Sequence, residues 1–247
     1  MVGLMDATVH GVLVAAALRR AAVTWTSRAF LGPLVRPGAV CLDLGAGSGL
    51  DTWRLSALAG RHGQVHSVEP PRVRARWMLS LTARLGCANV VVHRAARGGP
   101  TEPGPGGPGP QSGSRHLYVI GGTAAPDIGT GGRPAGLTVD RLCRQAGLER
   151  VDLIKVVVGR VEPDVLLGAF GILLRDRPSL LLELDLDRTK RSTGYQPEPT
   201  GLVRSLTTTL GYRMYRWKRG SWQTVSTVTD DCRSYLFSVR APSGAAR

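Results

Sequence analysis

Apolar positions along the chain alternate between two rhythms. Short segments at Ala39–Leu44, Val65–Glu69 and Asn89–His93, rich in β-branched and other apolar residues, have the length and the bounding residues of buried strands. Between them, Leu50–Leu58 and Pro71–Leu85 repeat their apolar residues at helical spacing, with Gly60–Gly63 and Gly86 as stops. Strands and helices in this alternation predict a doubly wound, mostly parallel α/β sheet, whose ligands lie beyond the carboxyl ends of the strands.

The same two rhythms continue further on. His116–Ile120 reads as an edge strand, Thr138–Ala146 as a helix capped by Thr138, and Val151–Val158 as a buried strand. Pro163 suits the first turn of a helix over about Glu162 to Leu174, where a missing amide proton costs nothing. Ser179–Leu186 is another buried strand and Thr200–Leu210 a helix, while Tyr212–Lys218 and Tyr235–Arg240 alternate like antiparallel strands at one sheet edge. Ahead of the sheet, residues 8 to 31 have helical spacing and end at Pro33 and Pro37. The expected organisation is a helical extension over 1–36, one domain over 37–240 and a disordered tail over 241–247. Within the domain, the Gly- and Pro-dominated stretch Gly98–Ser114 is expected to be a mobile loop, because it cannot bury enough apolar surface to offset its ordering entropy.

Composition sharpens this picture in four places. A chain of 247 residues with 43% apolar residues suffices for one large α/β core. The apolar segment Val12–Leu18 is bounded by His10 and by Arg19 and Arg20, far short of the roughly 18 to 20 apolar residues of a membrane span. No membrane association and a cytoplasmic location are the resulting expectations. Cys41, Cys87, Cys143 and Cys232 are widely separated, with neither zinc nor CxxC spacing, so packed thiols and no metal site are expected. The formal charge of +14 admits nucleic acid as a partner. The arginines are scattered, however, and lysine occurs only at Lys155, Lys190 and Lys218, a pattern that GC-rich codon usage also produces, so nucleic acid is not favoured.

The candidate chemistry starts at the first strand. Asp43, Gly45, Ala46, Gly47, Ser48 and Gly49 form D-x-G-x-G-x-G at a strand-to-helix turn. Gly45 and Gly47 allow a tight turn and close approach of a ligand, Gly49 allows close helix packing, and Asp43 can accept hydrogen bonds from the loop or a bound amine. Glu69 ends the next strand about 20 residues later, where a carboxylate can accept two hydrogen bonds from a ribose diol. The pairing points to an adenosine-type cofactor. The dinucleotide fingerprint G-x-G-x-x-G fails, since Ser48 and Leu50 are not glycine, and no G-x-x-x-x-G-K-[ST] phosphate loop is present. The competing reading of Gly45–Gly49 is a plain strand-to-helix turn. Trp217 and Trp222, flanking Lys218, Arg219 and Gly220, fit a hairpin with cross-strand aromatic packing better than a base-stacking platform.

DLGAGSG, then VHSVEP at Val65–Pro70, then VDLIKVVVGRVEPDVLLGAFGILLRDRPSLLLELD at Val151–Asp185, resemble the FkbM-type methyltransferases, as does the late Leu210-Gly211-Tyr212. The resemblance spans most of residues 40 to 217. It implies a Rossmann-like class I fold with S-adenosylmethionine as cofactor and O-methylation of a hydroxyl on a small molecule, polyketide-like or a sugar. One departure stands out: where the family runs IKIDVEGAE, this chain has IKVVVGRVE, so Val157 replaces an aspartate and Gly159 and Arg160 replace Glu-Gly. Lys155, Glu162 and Glu183 are then the candidates near the acceptor, with Asp185 as a further acid. Two alternatives stay open. One is an RNA methyltransferase, for which an N-P-P-Y motif is missing; the other is a family member that binds without turnover.

Overall fold

The computed structural model describes residues 30–69, 72–97, 117–120, 138–157, 162–184, 199–229, 231–243 and 245. Of the expected helices over residues 8 to 31, only the end at Phe30 and Leu31 lies within the described residues; the loop over 98–114 and residues 158–160 lie outside them.

Among the described residues nine strands form one sheet. They are β1 (Val40–Leu44), β2 (Gln64–Glu69), β3 (Val90–Arg97), β4 (Leu117–Ile120), β5 (Leu153–Val156), β6 (Ser179–Glu183), β7 (Arg213–Lys218), β8 (Ser221–Thr224) and β9 (Ser234–Ser238). Their order is β4-β3-β2-β1-β5-β6-β9-β7-β8. The strands β3, β2, β1, β5 and β6 are mutually parallel, whereas β4 and the block β9-β7-β8 run antiparallel to their neighbours. This is the doubly wound, Rossmann-like sheet with an antiparallel edge that the alternation of periods predicts. The chain leaves β1 toward β2 and β3 on one side and returns to β5 and β6 on the other, so the strand order reverses next to β1, where ligands of such sheets lie.

Among the described residues six helices accompany the sheet: α1 (Leu50–Ala59), α2 (Arg72–Arg84), α3 (Val139–Gln145), α4 (Glu162–Leu167), α5 (Phe170–Arg175) and α6 (Pro199–Arg204). The period-2 alternation of the strands divides the core into two layers. Leu42, Leu44, Ile154, Val156, Leu180 and Leu182 pack with Leu142 of α3, Val165 of α4, Ile172 of α5 and Val203 of α6. Cys41, Val65, Leu153, Leu181 and Leu236 point the other way and pack with Leu55 and Ala59 of α1 and with Leu31. Each fully buried leucine contributes about 1.5 to 3 kcal/mol of transfer free energy, so burial on both faces, more than strand propensity, explains why apolar residues stand on both faces of these strands.

Two helices depart from the sequence reading, one through a tertiary contact and one through local side-chain bonds. The single helix expected over Glu162 to Leu174 is broken at Gly168 and Ala169, because Asp140 of α3 accepts from the amides of Gly171 and Ile172 and caps α5 from a distance. Beyond α6 the helix widens into a π turn over Ser205–Thr209. There the hydroxyls of Ser205, Thr207 and Thr208 bond the carbonyls of Gly201, Val203 and Arg204 four residues back and compete with the helix for its acceptors. Within the stretch 241–247 expected to be disordered, Pro242 is buried and Ala245 packs against the layer containing Trp222.

The aromatic hairpin forms as expected. Trp217 of β7 and Trp222 of β8 are register partners with ring centroids 5.3 Å apart in an edge-on arrangement. Phe30 packs against both rings, and its carbonyl accepts from Trp222 Nε1 at 3.3 Å.

Candidate functional site

The loop between β1 and α1 is built by its glycines. Gly45, Gly47 and Gly49 stand at φ of 82°, 60° and 78°, a region where a Cβ would crowd the backbone. At Gly49 a Cβ would also come within 3.4 Å of Met78 Cγ of α2. The amides of Gly45 and Ala46 bond the Val68 carbonyl at 2.8 and 3.3 Å, and that of Gly49 bonds the Ala46 carbonyl at 3.0 Å. Gly47 donates its amide to Glu69 Oε2 at 2.7 Å. The carboxylate at the end of β2 and the middle of the glycine loop, 22 residues apart in sequence, are therefore in direct contact. Ala46 is buried against Met78 and Val92, and Ser48 lies half-buried in the turn ahead of Gly49.

Beneath the loop lies an ion network. Asp43 is fully buried; its Oδ2 accepts from the Thr52 hydroxyl at 2.6 Å and its Oδ1 from Lys155 Nζ at 2.9 Å. The same ammonium sits 3.3 Å from Oδ2 of Asp51, the second residue of α1, and Arg54 Nη1 lies 3.5 Å from Asp51 Oδ1. Thr52 in turn contacts the Ser67 hydroxyl at 3.2 Å. Each oxygen of Asp43 thus has a partner within the protein, and Lys155 lies under the loop on the α1 side of the sheet. Sequence reasoning singled out Asp43 and Lys155 but missed Asp51, Thr52 and Ser67. The available signal was polar residues at inward-facing positions of otherwise apolar elements.

The carboxyl ends of the parallel strands form a rim. Glu69 ends β2, Glu183 ends β6 half-buried, and Val157 follows β5 with its amide on the Leu44 carbonyl at 2.9 Å. Position 157, where the resembling family carries a carboxylate, is here a half-buried valine. Glu162 opens α4, its side chain outside the described residues, as are Gly159, Arg160 and Asp185. A cavity of about 540 Å³ opens at the opposite end of β2, lined among others by Trp53, Arg61, Gln64 and Asn89, and is separate from this rim.

Two of the four thiols and two of the histidines are buried. Burial, with Asp152 and Asp43 adding to it, pushes the Cys41 thiol up to about 12, and burial does the same for Cys143, so neither is a thiolate nucleophile at neutral pH. All four cysteines are free. His66 and His93 are buried on adjacent strands and stack at 5.1 Å between centroids, with His66 Nδ1 2.9 Å from His93 Nε2. Burial, with His66 adding to it, holds His93 down at about 4. His116 lies outside the described residues. Among the described residues, no helix is long and apolar enough to cross a membrane.

No family model matches the chain, and no curated protein matches it in sequence. Solved structures do resemble it at low identity. A protein from Clostridium thermocellum described as a putative rRNA methylase is 12% identical over 89% of this chain and 96% of that one, at a TM-score of 0.45. Fibrillarin from Aeropyrum pernix, in complex with S-adenosyl-L-methionine, is 16% identical over 87% of this chain and 74% of that one, at 0.47. The methyltransferase FkbM from Methylobacillus flagellatus KT is 15% identical over 83% of this chain and 48% of that one, at 0.47. Likenesses this distant bear on neither substrate nor cofactor.

Proposed function

We propose that the chain is an S-adenosylmethionine-dependent methyltransferase of the FkbM type, acting on a hydroxyl of a small molecule such as a polyketide or a sugar. The observation that carries the reading is the contact of Gly47 with Glu69. It ties a glycine loop between the first strand and first helix to an acid at the end of the second strand, at the switch point of the sheet.

The residues present fit such a cofactor. Ala46, Gly47, Ser48 and Gly49 carry little side-chain bulk, leaving the loop backbone open to close approach. Glu69 supplies the carboxylate for the ribose diol, and Asp43 supports the loop from below through Thr52 and Lys155. When bound, S-adenosylmethionine supplies a methyl group on a sulfonium, open to in-line displacement by an acceptor oxygen. The protein's part is to hold that oxygen in line and to take its proton. Glu162 and Glu183 are the proposed groups near the acceptor for that task, at positions flanking Val157. A well-placed base contributes about 100- to 10,000-fold, so turnover without the family's acids at 157 and 159 is expected to be slow.

The test is thermal unfolding with and without S-adenosylhomocysteine. At a concentration 100 times its dissociation constant, a ligand of the folded state adds about 2.7 kcal/mol of stability, which raises the midpoint by several degrees. An unchanged midpoint at millimolar ligand rejects the cofactor. A second acceptor class, RNA, has the formal charge of +14 behind it. Methyl incorporation into RNA, together with affinity falling steeply with salt, would select it over a small molecule.

A further inference from the structure

We infer that Lys155 is a positioning residue for the cofactor loop, holding the end of β1 and the first turn of α1 together by bridging Asp43 and Asp51. This deepens the cofactor reading above and rests on it.

Lys155 lies on β5, 112 residues from Asp43, and its side chain is 7% exposed. A buried ammonium is tolerated only when paired, and here one Nζ meets two carboxylates, at 2.9 and 3.3 Å. The two acids belong to the two elements that flank the glycine loop. Asp43 precedes Gly45 at the end of β1, and Asp51 follows Gly49 in the first turn of α1. Gly49 stands at the helix N-cap and supplies no side-chain hydrogen bond there. The covalent path between the flanks runs through three residues of positive φ, held by backbone hydrogen bonds to Val68 and Ala46. The ammonium adds a direct ionic tie between the two flanks, and Thr52, bonded to the other oxygen of Asp43, adds a neutral tie between the same two elements. Removing the cation leaves the Asp43 and Asp51 carboxylates facing each other across the base of the loop, with Arg54 still beside Asp51 and the Thr52 hydroxyl still on Asp43. The expected response is separation of β1 from α1, which displaces Gly47 relative to Glu69.

The experiment is calorimetric binding of S-adenosylhomocysteine to the parent, Lys155→Met, Lys155→Arg, Asp51→Asn and the double variant Lys155→Met/Asp51→Asn. It is run at a temperature where near-ultraviolet circular dichroism shows each variant folded. Lys155→Met is expected to weaken binding at least about tenfold, or roughly 1.4 kcal/mol. Lys155→Arg, which keeps a cation able to reach both acids, should stay within about threefold of the parent. The double variant should recover part of the loss, because one of the two opposed charges is gone. A merely structural lysine would lower the unfolding temperature of Lys155→Met and leave the affinity of its folded form within about twofold of the parent, and that result overturns the inference. If Lys155→Met does not fold, Asp51→Asn decides: a loss of at least about threefold supports the bridge, and unchanged affinity overturns it. Failure of the parent to bind rejects the cofactor reading and the inference with it, an outcome distinct from a parent that binds and a variant that binds equally well.

Discussion

Asp43→Ala is expected to lower the free energy of unfolding by about 3 to 5 kcal/mol, the range for deleting one member of a buried ion pair. The cost arises less from the lost attraction than from what remains: Lys155, with Asp51 still 3.3 Å away, loses its closer carboxylate, and the Thr52 hydroxyl loses its acceptor. Asp51 holds the effect toward the lower end of the range. Against a total stability of about 5 to 15 kcal/mol this is a large fraction. Asp43→Asn should lose less, since its amide oxygen still accepts from Thr52. Urea unfolding followed by tryptophan fluorescence measures both, and a loss below about 1 kcal/mol for the alanine variant would mean that the pair is not buried in solution.

The stacked histidines give the second large effect, through pH. His93 is held down at about 4, against 6.5 for an unperturbed histidine. The unfolded chain therefore takes up this proton first. The stability it contributes is fully present above about pH 6.5 and is lost as pH falls through the window from 6.5 to 4, by about 3 kcal/mol in all. His66 is shifted in the same direction by burial, and the two rings share one short contact, so the pair titrates as a unit. His93→Gln keeps a group able to hydrogen-bond His66 and removes the titration. The stability of the parent relative to this variant should fall by about that amount between pH 7 and pH 4. Parallel curves would show that the pair is open to solvent in the folded protein.

What the sequence made legible follows local rules. The β1 strand, the glycine loop and α1 were readable because a buried strand, a turn requiring positive φ and an amphipathic helix each leave a short-range pattern. Glu69 was readable from its distance to the loop, and Thr138 from its place ahead of α3, where its side chain accepts from the Arg141 amide. Features set by contacts between distant residues were not. No local pattern in β5 marks the partners of Lys155, which the structure places on Asp43 and Asp51. The break between α4 and α5 depends on Asp140, about 30 residues upstream, and no local pattern marks it. The same holds for the histidine pair. His66 and His93 meet only because β2 and β3 are parallel neighbours in one register.

The measurement that tests the central claim most directly is calorimetric binding of S-adenosylhomocysteine, at fixed salt, to the parent and to Glu69→Ala. The cofactor site built on Gly47 and Glu69 predicts saturable one-to-one binding by the parent, weakened at least about tenfold, or roughly 1.4 kcal/mol, in the variant. Binding of equal strength by both would remove Glu69 from the site, and no binding by the parent would leave the glycine loop as a turn between a strand and a helix.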